Sequence, residues 1–213
     1  MAVRVDLNIS LDGFATTTDQ TPENPFGRDW GRLTAAYVAT RTFRARVLHD
    51  ESGEGTTGVD DDYAQAYFEE IGAEIMGAGM FGFQAFPDDA DWRGWWGEEP
   101  PFRCPVFVLT HRTRPSLEMA GGTTFHFLSA SPRDVLDRAL AVAGGRDVRI
   151  GGGPTVIREF LRAGLVDQLH VAIVPILLGQ GIQLWEGLRG LDEGYTVKTE
   201  SAPSGITHLT FRR

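Results

Sequence analysis

The alternation of apolar and polar positions organises this chain from its first residues. Val3, Val5, Leu7 and Ile9 recur at period two, which predicts a strand beginning almost at the N-terminus. Apolar residues take helical spacing over 33–48 and again, more briefly, over 63–71. Short β-rich runs at 73–77, 106–109 and 124–128 predict strands, and 78–81 opens another turn or helix. Ser131-Pro132 caps a helix carrying Val135, Leu136, Leu140 and Val142, which ends at Gly144-Gly145. A strand at 148–150 leads into three glycines and a helix with Val156, Ile157, Phe160 and Leu161 on one face. A long strand follows at 166–174 and stops at Pro175; 195–200 and 206–211 read as a hairpin. Strands alternating with helices predict an α/β fold, a mixed and mainly parallel sheet flanked by helices. The late hairpin predicts an antiparallel C-terminal edge.

The run Gly151-Gly152-Gly153-Pro154-Thr155 carries the first candidate chemistry. Glycines let a ligand approach the backbone, and Pro154 fits the first helical turn, where its missing N–H costs nothing. The free N–H groups and positive end of the helix favour an anion, typically a phosphate. The same residues also suit a tight strand-to-helix turn that binds nothing.

Bulk properties narrow the classes. The 213 residues suit one domain over 1–213, with insertions near 49–62, acidic and glycine-rich, and 84–105, which holds Trp92, Trp95 and Trp96. The tryptophans read either as packing of the insertion, including a subunit contact, or as a binding wall. A formal net charge of -9 argues against nonspecific binding to nucleic acid or an anionic membrane. No apolar run is long enough to span a bilayer, and the first residues lack the pattern of a secretory signal, so a cytoplasmic protein is the expectation. The single cysteine, Cys104, forms no internal disulfide and reads as a packing residue, and no Cys/His cluster has metal-site spacing.

Other candidates sit at strand ends. Asp12 precedes Gly13 and is either a site carboxylate or an ordinary turn residue. Thr110, His111 and Arg112 follow a strand, where a basic residue can receive a phosphate. His170 lies inside a strand and reads as structural.

Taken together, Asn8-Ile9-Ser10-Leu11-Asp12-Gly13-Phe14 and the run from Gly151 through Asp167-Gln168-Leu169 to Gly179-Gln180-Gly181 resemble the dihydrofolate reductase-like superfamily, and within it the RibD C-terminal domain family. The resemblance implies hydride transfer from NADPH to a small heterocycle, pteridine-like or ribosylaminopyrimidine-like, as in riboflavin biosynthesis. It implies a small-molecule substrate, and a homodimer is compatible with it. It places Gly151, Gly152, Gly153, Pro154 and Thr155 at the cofactor pyrophosphate, Gly77 and Ala78 in a second cofactor turn, and Thr110, His111 and Arg112 at the adenosine end. Asn8, Asp12, Phe14 and Asp29 become substrate-site residues, with Asp12 the catalytic carboxylate.

Two departures from the family pattern stand out. Ala78 replaces a frequent arginine, which leaves Arg112 as the contact to a 2′-phosphate and keeps NADH open as a cofactor. Gly151 stands where riboflavin-pathway reductases usually have glutamate. These losses keep a second reading in view, a noncatalytic nucleotide-binding or ligand-sensing protein on the same fold.

Overall fold

The computed structural model describes residues 1–83, 85, 86 and 89–213; Gln84, Pro87 and Asp88, part of the tryptophan-rich segment, lie outside the described residues. In chain order the elements are β1 (Val3–Ser10), β2 (Phe14–Thr16), α1 (Trp30–Ala39), α2 (Arg41–Val47), α3 (Val59–Phe68), β3 (Ile71–Gly77), α4 (Ala78–Phe81) and β4 (Pro105–Leu109). They continue with β5 (Leu117–Glu118), β6 (Thr124–Leu128), α5 (Pro132–Val142), β7 (Asp147–Gly152), α6 (Pro154–Arg162), β8 (Gln168–Val174), β9 (Ile182–Gln183), β10 (Thr196–Ser201) and β11 (Thr207–Arg212). Among the described residues, nine strands form one sheet in the order β10-β11-β8-β1-β7-β3-β4-β6-β5, and β2 pairs with β9 separately. The run from β8 to β6 is parallel, and β11, β10 and β5 add antiparallel edges. This is the mixed, mainly parallel sheet flanked by helices that the alternation of strands and helices predicts.

One face of the sheet is covered by α5 and α6. Ser131 caps α5 by accepting from the Asp134 amide, as its sequence predicts. Val135, Leu136 and Ala139 from α5 and Ile157, Phe160 and Leu161 from α6 bury against Val5, Ile75, Ile150 and Leu169. This apolar layer is what the period-two pattern of β1 foretells.

The opposite face is also covered, by α1, α2 and α3, so the polar side of β1 is not solvated. Arg4, Asp6 and Ser10 are all buried, and each has partners. Arg4 donates to the Ala66 and Glu69 carbonyls, and Asn8 donates to the Leu33 carbonyl. Buried polar groups demand such partners, because an unmet one costs its full desolvation. The single helix expected over 33–48 is broken at Thr40, whose backbone is extended and whose hydroxyl caps α2 through the Phe43 amide. Thr40 also bridges Thr56, which ties the exposed 51–58 loop to the helices. The helix expected at 63–71 instead begins at Val59 and ends at Phe68. No helix among the described residues is long and apolar enough to cross a membrane.

Across β3 and β7, Glu74 and Arg149 are register partners and form a fully buried ion pair. Arg149 Nε and Nη2 both donate to Glu74 Oε2, at 2.8 and 2.6 Å, and its Nη1 donates to the Tyr67 carbonyl at 2.9 Å. The guanidinium also lies 3.3 Å from the Tyr67 ring centre, a cation–π contact that covers its remaining face. Burial pushes the Glu74 carboxyl up to about 7, against the pull of the guanidinium. Removing one member of such a pair strands the other, so Arg149→Met should cost about 3–5 kcal/mol in urea unfolding. Removing the exposed Lys198 in the same way should cost nothing resolvable. A loss below about 1 kcal/mol for Arg149→Met would show that the pair does not hold β3 against β7.

Candidate active site

Two glycine turns lie side by side where adjacent parallel strands end. β3 runs out at Gly77 into α4, and β7 runs out at Gly152 into α6, with Met76 and Gly152 as register partners. A Cβ at Gly77 would come within 2.9 Å of Val156 Cγ2, so the first turn has no room for a side chain. Gly152 has φ +139°, a backbone state that strains any other residue, and a Cβ there would meet Met80 Sδ at 3.2 Å. Gly153 differs: a Cβ built on it meets no described atom within 4 Å. α6 starts with Pro154 and has no side-chain cap, leaving its first N–H groups open.

Both turns open into a cavity of about 740 Å³. Gly77, Ala78, Gly151, Gly152, Gly153, Pro154 and Thr155 all line it, so every residue assigned by sequence to the two cofactor turns meets in one place. One wall is aromatic. Trp95 and Trp96 from the tryptophan-rich segment line it, with Phe26 and Trp30 beside them. Phe26 packs against Trp30 and Trp95 with ring centres 4.8 and 4.7 Å apart. The Trp92 and Trp95 indole N–H groups donate to the Phe81 and Met80 carbonyls, fastening this wall to α4. The packing of the tryptophan-rich segment onto the body is therefore observed, and Trp95 and Trp96 line the cavity from it.

The remaining sequence candidates divide. Asn8 lines the cavity. Asp12 does not: its carboxylate accepts from the Ser10 hydroxyl at 2.6 Å and from the Leu178 and Gly179 amides at 3.1 and 2.7 Å. Burial alone would raise this carboxyl, but the bonds from Ser10, Gly179 and Leu178 hold it below its ordinary value. Its observed work is to pin the 176–181 loop to the end of β1, and the structure does not bring it to the cavity in the catalytic position the resemblance implied. Phe14 lies in β2 and also stands off the cavity lining. Asp29 sits at the start of α1, paired with Arg32 at 2.6 Å, and likewise does not line the cavity. Thr110, His111 and Arg112 follow β4 and do not themselves line the cavity, whereas Leu109, opposite Gly77, does; Thr110 Oγ1 accepts from the Arg112 amide at 3.0 Å. Cys104 is buried and its thiol is pushed up to about 12 by burial, which suits packing and not nucleophilic chemistry.

Gly151 has a physical reason to be glycine. A Cβ there would overlap Glu74 Oε1, which is buried and has no hydrogen-bond partner among the described residues. The carboxylate on β3 occupies the space that a side chain on β7 would need.

The sequence reading missed a polar cluster on the cavity wall: Asp6, Asp60, Tyr63, His170 and His208. Register brings the strand members together, since Asp6 lies opposite His170 on β1 and β8, and His208 comes from the neighbouring β11. The available signal was the polar side of the β1 alternation, read against two histidines at in-strand positions.

The model of the RibD C-terminal domain family matches residues 1–201. YyaP of Bacillus subtilis (strain 168), a protein of uncharacterized function, is 30% identical over 67 residues. That match spans 32% of this chain and 36% of the relative, so the likeness covers about a third of either protein. Among solved structures, a Shewanella sp. PV-4 protein named for riboflavin biosynthesis has a TM-score of 0.62 at 22% identity, covering 100% of this chain and 99% of that one. A pyrimidine reductase-like protein from Corynebacterium diphtheriae has a TM-score of 0.50 at 16% identity, covering 99% and 91% of the two chains.

The Asp12 anchor can be read directly. In Asp12→Ala, the Leu178 and Gly179 amides should exchange with solvent at least about 10-fold faster, with β1 and β8 amides unchanged. Unaltered exchange in the loop would mean that Asp12 does not hold it.

Proposed function

The chain belongs to the RibD C-terminal domain family, and from that premise we propose that it is an NADPH-dependent reductase of a small nitrogen heterocycle. The observation that carries this reading is the pair of glycine turns opening side by side into one cavity with an aromatic wall. The open space over Gly153 and the uncapped start of α6 fit a pyrophosphate, which needs close backbone approach and N–H donors. Gly77 and Ala78 would border the same cofactor from the neighbouring strand end. Arg112, one strand further along after β4, would meet the 2′-phosphate in the absence of a basic residue at position 78. A dihydronicotinamide held there supplies hydride when bound.

The protein's part is to hold the two rings together and to exclude water. Trp95, Trp96 and Phe26 give the cavity flat apolar surface suited to a planar heterocycle, and Asn8 gives it a polar contact. The riboflavin and pyrimidine chemistry in the names of the two structural relatives points the same way, toward a pteridine-like or ribosylaminopyrimidine-like substrate. Saturable NADPH oxidation with one of these compounds would separate the enzyme from a noncatalytic binder on the same fold.

Gly153 gives the cleanest test of the cofactor turn. Its φ of -85° is open to any residue, whereas Gly152 is strained by substitution. Gly153→Val should leave the thermal transition in place and weaken NADPH binding at least about 10-fold in a fluorescence titration. Unchanged affinity would remove the pyrophosphate from this turn.

Arg112→Ala should lower NADPH affinity by about 10- to 100-fold and NADH affinity much less, the worth of one charge-assisted phosphate contact. Equal losses for both cofactors would place Arg112 away from the 2′-phosphate.

A further inference from the structure

The cavity has a second polar end that the cofactor turns do not account for. Asp6, on the central strand, is buried at 7% exposure and lines the cavity. Its Oδ1 lies 3.2 Å from His170 Nδ1. Its Oδ2 is buried and has no hydrogen-bond partner among the described residues. A buried carboxylate oxygen at a cavity wall, left without a donor, is an acceptor set for a ligand.

The chain behind Asp6 explains how that oxygen is held. His170 Nε2 lies 3.0 Å from His208 Nδ1, and His208 Nε2 lies 2.9 Å from Asp60 Oδ1. The Tyr63 ring stacks on both imidazoles at 4.2 Å, with interplanar angles of 11° and 3°, and fixes their planes. Hydrogen bonds join His170 to His208 and His208 to Asp60, burial lowers the His208 pKa and so favours its neutral form, and the Asp6 and Asp60 carboxylates at the two ends give the row negative charge.

The neighbouring charges do not cancel it. Arg4 on β1 is paired with Asp147, and Arg149 on β7 with Glu74 on β3. Glu200 on β10 accepts from the Tyr63 hydroxyl and is itself paired with Lys198 at 2.8 Å. Tyr37 on α1 and Tyr67 on α3 have their phenols held neutral, raised above the ordinary value by burial first. Burial opposes ionisation of Asp6, yet His170 and the Arg4 and Arg149 charges bring its carboxyl below the ordinary value.

We propose that Asp6 selects the cavity's ligand, with Oδ2 accepting an N–H of an amino-bearing or protonated nitrogen heterocycle, and that His170, His208 and Asp60 are positioning residues for it. This rests on the reductase reading only in that the ligand would be the substrate. A donor-rich ring edge meets Asp6, while its plane lies against the aromatic wall. A neutral ring offering only acceptors would leave Oδ2 unmet and be rejected.

The probe is 2,4-diaminopyrimidine, titrated into the full chain by calorimetry, with NADPH binding measured separately. Wild type should bind it, and Asp6→Asn should weaken it at least about 10-fold while NADPH affinity stays the same. In ¹⁵N-histidine spectra, the probe should shift the His170 and His208 signals together and leave the exposed-side His126 unmoved. Asp60→Asn leaves Asp6 in place, and should shift the His170 signal through His208, a response that a merely structural Asp60 would not give. If Asp6→Asn fails to fold, the wild-type and Asp60→Asn spectra still decide. No binding of the probe to wild type, equal affinity in a folded Asp6→Asn, or independent His170 and His208 responses would overturn the proposal. Probe binding without NADPH binding would leave Asp6 standing and remove the reductase reading instead.

Discussion

The ion pair between Arg149 and Glu74 sets how β3 lies against β7, and the two glycine turns inherit their spacing from it. The residues are register partners within the sheet, so the pair bonds along the same line as the backbone ladder. Two positions further along β7, Gly151 must be glycine because Glu74 Oε1 fills the space of its Cβ. One residue beyond, β7 turns into α6; three beyond Glu74, β3 turns into α4. A slip of one residue would bury the wrong face of a strand and separate the turns. Placing two charges in this position carries a desolvation penalty, so its value lies in fixing geometry and not in net stability.

That pair belongs to a wider polar layer under α1, α2 and α3. The sheet packs an ordinary apolar core against α5 and α6 on one face. On the other it carries Arg4, Asp6, Glu74, Arg149, His170 and His208, all buried and nearly all partnered. α1 packs Leu33 against Ala172 and Val174 of β8, and Asp6, His170 and His208 line the cavity beside that contact. Three of the buried polar groups have an unmet atom, Arg4 Nε, Glu74 Oε1 and Asp6 Oδ2, and of the three residues only Asp6 lines the cavity. Position alone separates a structural orphan from a ligand acceptor.

Most of the sheet was legible because its signals are local. Alternation, β-branched runs, the Ser131 cap and the glycine turns each announce themselves within a few residues, and the strands fall where those signals put them. The residues of the two glycine turns converge on one cavity because strand ends in a parallel sheet share an edge. Legibility failed where partners are distant in sequence. Asp60 sits in a stretch that reads as a solvated acidic insertion, yet it hydrogen-bonds His208 across 148 positions. His170 read as a structural strand residue, because nothing local shows that Asp6 lies opposite it. Asp12 drew attention by its place before Gly13, but the amides that occupy its carboxylate come from Leu178 and Gly179, at the far end of another loop. The break at Thr40 was hidden because a threonine inside apolar helical spacing signals no stop unless its hydroxyl is known to cap.

The proposed function requires one nicotinamide cofactor held between the paired glycine turns and the aromatic wall. Trp95 and Trp96 stand in that wall, and a dihydronicotinamide bound in the cavity would accept excitation energy from them. The most direct measurement is NADPH emission excited through tryptophan, followed as NADPH is added to the wild-type chain. Saturable sensitised emission, lost when excess NADP⁺ displaces the cofactor, is the expected result. A signal that rises linearly with added NADPH, with no saturation and no displacement, would contradict it.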